Sequence, residues 1–227
     1  ERGDASGVPV EIISGEEMKR REPKIHPDVS GALVCPSGGI CDPWGATIAA
    51  AENAVVNGVE LKLNTKFEDF LWEDAAKKQR IVGIKTNRGD FHGRWVVNAA
   101  GLYADMVMHQ AGIRPEFNIT ARRGEYYVMD RNQVQINNVL FPVPTKVSKG
   151  ILVTNTLHGN VLVGPNAEEI EDKTNVDVTP DGMKEIWSGA QKLVPSLSQR
   201  DVIAVFAGLR PGGNAPCQGC EIEYNKD

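Results

Sequence analysis

An α+β fold with more strand than helix is what this sequence predicts, and three observations carry it. Two segments, at Asp42-Pro43 and Thr179-Pro180, hold a capping side chain followed by a proline where a helix's first turn has no use for an N–H. Between them, from Val59 onward, apolar residues fall at every second position and turn residues cut the run into short strands. No internal repeat and no linker cleanly splits the 227 residues.

The elements follow in order. Ser14-Gly15-Glu16-Glu17 reads as a cap and first helical turn, and that helix ends by Pro23. Ala32-Leu33-Val34-Cys35 is a short strand. Asp42 caps the clearest helix, on which Trp44, Ile48, Ala51 and Val55 mark one face, and Asn57-Gly58 supplies a left-handed stop. Leu61, Leu63, Thr65 and Phe67 alternate with polar neighbours as in a half-buried strand. Turns at 73–79 and 87–90 then complete a three-stranded antiparallel meander. Trp95-Val96-Val97-Asn98 reads as a buried strand running through Ala99-Ala100-Gly101 into a helix near Tyr103. Further strands are expected at Ile119–Met129, Val139–Phe141, Ile151–Thr154, Asn160–Val163 and Val202–Leu209. A last helix is expected over Asp181–Leu193, with Met183, Ile186, Trp187 and Ala190 facing inward.

Composition narrows the function. Apolar residues make up 41% and charged residues 24%, the balance of a globular chain with a sizeable core. A net charge of −5 argues against a dedicated nucleic-acid binder, which needs a cationic surface. No apolar run approaches a membrane span, and four cysteines do not make a disulfide scaffold, so reduced thiols in a cytoplasmic protein are expected.

Three segments could carry chemistry. The small residues Ala99-Ala100-Gly101 let a backbone approach a phosphate or ring closely, though tight strand–helix packing asks for the same residues. Arg122-Arg123-Gly124-Glu125-Tyr126-Tyr127 is either a solvated strand edge or an anion-binding rim with a phenol reaching a substrate hydroxyl. Arg210 follows an apolar strand and either reaches out to water or meets a carboxylate or phosphate at a cavity mouth. Cys217-Gln218-Gly219-Cys220 is half a zinc site at best; a redox pair and a metal clip between subunits are open to it, and two loop thiols with no role is the preferred reading. Cys35 and Cys41 read as packing residues, and no metal site is expected. The four histidines are scattered, no nucleophile elbow is present, and neither a Walker loop nor G-x-G-x-x-G occurs.

In series these stretches resemble the FAD-dependent oxidoreductases of the D-amino-acid oxidase superfamily, in particular the flavin-linked glycerol-3-phosphate dehydrogenase branch. The matching segments are Ile40-Cys41-Asp42-Pro43, Asn57-Gly58-Val59-Glu60, Thr65-Lys66-Phe67, Val96 through Asp105, Arg123 through Tyr127, Asn160 through Pro165 and Phe206 through Pro211. The resemblance implies a substrate domain with a mixed or antiparallel sheet, interleaved with the meander and part of a Rossmann-like FAD-binding domain. Residues 1–41 and 113–213 would belong to the first, 42–112 to the second, and 214–227 would be a C-terminal loop.

It further implies that Thr65, Lys66 and Phe67 touch the adenosine side of FAD through backbone groups, while Ala99, Ala100 and Gly101 line the flavin approach. Arg210 would hold the substrate anion. Tyr126 would stand on the substrate side, where the glycerophosphate branch carries a histidine, and Arg123 would stand beside it. No residue offers itself as the general base. The implied reaction is hydride transfer from glycerol 3-phosphate to flavin. A 2-hydroxy acid or amino acid is the alternative substrate, and a non-catalytic binding domain of the same fold the alternative class.

Both ends read as those of an internal piece, since the chain opens on Glu1-Arg2-Gly3-Asp4 and closes without a tail composition. The glycine-rich fingerprint of the family is absent, so the isolated chain is expected to be inactive and not to retain FAD. A small anionic substrate, and an electron-acceptor protein or quinone, are the partners implied. Membrane contact would be peripheral and made through other regions.

Overall fold

A computed structural model describes residues 5–75, 78–144 and 150–213. In chain order its elements are β1 (Glu11–Ser14), α1 (Gly15–Arg21), β2 (Gly31–Val34), α2 (Pro43–Val56), β3 (Phe67–Ala75), β4 (Lys78–Thr86), β5 (Gly89–His92), α3 (Ala104–Gln110), β6 (Ile119–Met129), β7 (Leu152–Asn155), β8 (Val161–Gly164), β9 (Glu168–Ile170), α4 (Pro180–Gln191) and β10 (Val202–Gly213). The class is α+β, as expected. β1 pairs with β2, β3-β4-β5 form the antiparallel meander, and a five-stranded sheet runs β10-β6-β8-β7 with β9 also on β6.

Two compact units divide the described residues. The first holds those up to Ile48, Arg123–Glu168 and Thr174–Leu209. The second holds Ala49–Arg122, Glu169–Lys173 and the described residues from Arg210. The boundaries expected after residues 41 and 112 lie ahead of the divisions after Ile48 and Arg122.

The first unit is built around one core. Met129, Val153, Val161, Val163, Ile186, Ala190 and Val194 have no exposed surface. α4 starts where its chemistry dictates: the Thr179 hydroxyl accepts from the Gly182 N–H at 3.1 Å, and Pro180 opens the first turn. Its inward face is Ile186 and Ala190, with Met183 and Trp187 packed beside them. α1 is capped in the same way by Ser14, whose hydroxyl accepts from Glu17 N–H at 3.2 Å. At its other end Glu22, almost wholly buried, accepts from the N–H groups of Asn137 at 2.6 Å and Asn138 at 3.1 Å, which satisfies a carboxylate taken out of water. β6 alternates with period two. Ala121, Arg123, Glu125 and Met129 are buried, whereas Thr120, Arg122, Gly124, Tyr126 and Val128 are half-buried on the opposite face.

In the second unit the meander is as expected, but its first strand begins later. The alternating run from Val59 is not a strand; it leads through a turn at Asn64 (φ 54°) into β3. Residues 95–98 are likewise not a strand, and Trp95 and Val97 are 83% and 86% exposed. Alternation marks a chain able to lie on a sheet, but a strand also needs a neighbouring strand for its N–H and C=O groups, and no described strand pairs with residues 59–65 or 95–98.

α2 ends as predicted, with Gly58 at φ 92° and the Val59 N–H bonded to Ala54 O, yet no residue of it is buried and Val56 is 85% exposed. Three smaller expectations also change. Val139–Phe141 is reduced to a single bridge between Leu140 and Val153. Cys35 and Cys41 are exposed rather than packed. The strand expected at Val202–Leu209 continues to Gly213 through Pro211, which its edge position allows. Cys217 and Cys220 lie outside the described residues. No helix among the described residues is long and apolar enough to cross a membrane.

Candidate functional site

In the second unit the segment Asn98–Asp105 forms a tight turn that opens α3. Asn98 brackets it: its Oδ1 accepts from the Ala100 N–H at 3.2 Å, and its Nδ2 donates to the Ala104 carbonyl at 2.9 Å. Gly101 sits at φ 56°, where a side chain would be strained, and no atom lies within 4 Å of where its Cβ would stand. Ala99, Ala100 and Gly101 are all exposed, so the turn presents backbone and methyl groups to open space.

The turn is pinned from a distant part of the chain. Lys173 Nζ donates to the Leu102 carbonyl at 2.7 Å and to the Asp105 carboxylate at 3.1 and 3.4 Å, and stands 5.7 Å from the centre of the Tyr103 ring. The Tyr103 hydroxyl donates to the Lys173 carbonyl at 3.4 Å. Asp105 also accepts from the N–H groups of Ile119 at 3.0 Å and Met106 at 2.9 Å. Burial pushes its pKa up, but the bonds from Ile119, Lys173 and Met106 outweigh that and hold the carboxyl below its ordinary range.

Thr65, Lys66 and Phe67 lead into β3. The Lys66 amide donates to Asn87 Oδ1 at 2.7 Å, and the Lys66 carbonyl accepts from the Asn87 N–H at 3.2 Å. Both backbone groups of Lys66 are therefore taken. The Arg210 side chain, on β10, is exposed and has no hydrogen-bond or ion-pair partner among the described residues. A shallow cavity of about 390 Å³ in this unit is lined by Asn118, Thr120, Glu169 and Gly213, none of them an expected site residue.

In the first unit Arg123 and Tyr126 stand three residues apart on β6 and so on opposite faces. The Tyr126 ring stacks on Phe206, centroids 5.0 Å apart and planes 8° from parallel. Arg123 is 5% exposed, and its guanidinium donates to Glu168 at 2.6 Å and Asn175 at 3.0 Å. The two residues do not form one rim. Glu125, on the same packed face as Arg123, is fully buried; it accepts from the Thr179 N–H at 3.1 Å and hydroxyl at 2.9 Å, and so holds the start of α4. A Cβ at position 182 would run into that carboxylate, which explains the glycine there. Burial and the Glu125 charge raise the pKa of Tyr127, whose hydroxyl donates to the Met183 carbonyl at 3.2 Å.

The turn at Ala99–Gly101 and the backbone at Thr65–Phe67 thus each gained a partner the sequence did not announce. Asn87 lies in a recognised turn, but Lys173 is 68 residues from Asp105 and carries no local signal.

The chain matches the pattern of the FAD dependent oxidoreductase family over residues 1–223 and belongs to that family; the exposed small-residue turn that opens α3 and the three-stranded meander both lie within the match. Within the family, the chain is similar to the glycerol 3-phosphate dehydrogenase of Caloramator mitchellensis, 40% identical over 92% of this chain and 43% of that protein. It is also similar to the glycerol 3-phosphate oxidase of Mycoplasma genitalium, 33% identical over 92% of this chain and 56% of that one. The solved L-alpha-glycerophosphate oxidase of Mycoplasma pneumoniae, with FAD bound, superposes with a TM-score of 0.81 and 29% identity, covering 95% of this chain and 57% of that one. The chain therefore spans about half the length of the relatives it matches.

Proposed function

We propose that this chain is part of a longer flavin-dependent enzyme that oxidises glycerol 3-phosphate and passes the electrons to a separate acceptor, a quinone or an acceptor protein, in the cytoplasm. The observation that carries the substrate is the 40% identity to a glycerol 3-phosphate dehydrogenase across 92% of the chain. The open space at Gly101 and the exposed backbone of Ala99 and Ala100 fit a flat ring brought close to the chain. FAD, when bound, supplies the hydride acceptor. The residues of this chain would orient and bind. Ala99, Ala100 and Gly101 would face the flavin side. With Lys66 occupied by Asn87, the adenosine-side backbone contact would fall to Thr65, next to Phe67. Arg210, whose guanidinium has no partner among the described residues, would take the phosphate of the substrate in a charge-assisted, two-pronged contact. Tyr126, its ring steadied by Phe206, is proposed as a substrate-side hydroxyl on β6. Arg123 is left out, because its guanidinium is committed to Glu168 and Asn175.

The test is a substrate screen of the longer polypeptide with an artificial electron acceptor. Turnover of glycerol 3-phosphate is the expected result; turnover of a 2-hydroxy acid or amino acid alone would overturn the substrate, and absence of bound flavin the whole proposal. Arg210→Ala should raise KM for glycerol 3-phosphate roughly 30-fold or more with flavin content unchanged. Unaltered kinetics would return Arg210 to a surface residue.

A further inference from the structure

The stretch Glu169–Lys173 makes an ion pair at each end within the second unit. Glu169 pairs with Arg122 at 2.5 Å and Lys173 with Asp105 at 3.1 Å. The placement of Lys173 needs explaining. A cation beside the first turn of a helix opposes the helix dipole, so α3 gains nothing from it. Asp105, in that first turn, offsets the charge, and is itself held by the Ile119 and Met106 N–H groups. What the ammonium adds is a bond to the carbonyl of Leu102, the residue after Gly101, together with a cation–π contact to Tyr103. Its side chain is 17% exposed and that of Asp105 10%, so water competes weakly for these bonds.

The geometry points to Lys173 as a positioning residue for the Ala99–Gly101 turn, fixing how closely this backbone meets the flavin ring. The inference rests on the flavin-side role proposed above for these three residues. Lys173 does not itself touch the reacting atoms in this assignment; it acts through the Leu102 carbonyl and Asp105.

The experiment compares the longer polypeptide with its Lys173→Met and Lys173→Arg variants, using amide hydrogen exchange at residues 99–103, the visible absorption band of the bound flavin, and kcat against KM. Losing a charged hydrogen bond at a turn should speed exchange at 99–103 about tenfold or more, with β3 and β4 unchanged. In Lys173→Met the flavin band should shift and kcat fall while KM for glycerol 3-phosphate holds. Lys173→Arg, which keeps the charge and the donors, should recover most of each. If Lys173→Met does not fold, Lys173→Gln decides by the same exchange measurement. Exchange and absorption unchanged, with only a lower melting temperature, would overturn the inference. Wild-type protein without flavin would instead sink the proposed function, and in that case exchange at 99–103 alone supports or overturns the positioning of the turn.

Discussion

The two units of this chain spend their apolar residues differently. In the first, fifteen apolar side chains from β1, α1, β6, β7, β8, α4 and the segments around them close into one core. In the second, Phe70 and Ala121 are the buried apolar residues among those described, while Val56, Leu63, Trp95 and Val97 stand between 67% and 86% exposed. Both units contain the patterns of ordinary helices and strands, so local pattern does not separate them. What separates them is that the first closes a core of its own, although it too leaves Ile12, Leu33, Trp44 and Val143 between 68% and 87% exposed. An apolar surface of this kind marks a place made to be covered. Because the chain spans about half the length of its relatives, the covering residues are proposed to belong to the longer polypeptide.

The largest effect that could break this comparison is a pair of truncations. Ile186→Ala removes a fully buried side chain of the first unit and should cost about 2–5 kcal/mol in urea unfolding of the 227-residue chain. Val97→Ala should stay within about 0.5 kcal/mol in the same chain, since the side chain is 86% exposed. In the longer polypeptide Val97→Ala should cost about 2 kcal/mol, as a covered side chain does. An equally small effect in both would mean that nothing covers this surface.

The same distinction decides what could be read from the sequence. Caps are local chemistry, so the starts of α1, α2 and α4 were legible at Ser14, Asp42 and Thr179, and β6 lies at its expected bounds, Ile119–Met129. The strands expected at 59–67 and 95–98 depended on neighbours, which periodicity does not reveal. On β6, alternation alone sets Arg123 and Tyr126 on opposite faces, so their separation was legible from the odd spacing. The Lys173–Asp105 pair was not: two residues 68 apart meet only because the chain folds back, and although Asp105 suits the first turn of α3, Lys173 has no periodic or capping signature.

A smaller effect probes the second unit where it is best held. The Asp105 carboxyl has a folded pKa below its ordinary value of 3.8, so its stabilising contribution is complete above 3.8 and is lost as pH falls through the lower folded value. Asp105→Asn should therefore destabilise by about 1–3 kcal/mol at neutral pH, leaving a half-buried ammonium without its anion. The gap between wild type and variant should close once the wild-type carboxyl is protonated. Urea unfolding of both proteins along a descending pH series measures this directly. A gap that is the same throughout would show that the lost acceptor matters more than the charge, since Met106 and Ile119 bond to different carboxylate oxygens and an amide keeps only one of them.

The smallest effect belongs to the first unit, and it separates a large pKa shift from a large contribution to stability. Glu17 accepts from Arg20 at 2.7 and 2.8 Å and from Arg21 at 2.6 Å, and these bonds lower its carboxyl to about 2. The arrangement is a favourable one, with an acidic residue in the first turn of α1 and its basic partners three and four positions later. Yet Arg20 is 74% exposed, so its pair with Glu17 exchanges water contacts for ionic ones of similar free energy, while the less exposed Arg21 keeps Glu11 as a second anion. Glu17→Gln should therefore leave the melting temperature unchanged at neutral pH and ordinary salt, although the wild-type carboxyl should titrate near 2 when followed by carbon-detected magnetic resonance. The sign is the same as at Asp105: whatever the pair contributes is present above the ordinary value of 4.5 and fades as pH falls through about 2. A clear drop in melting temperature for Glu17→Gln, removed by added salt, would show that this surface pair holds α1 in place and that exposure alone does not rank the ion pairs of this chain.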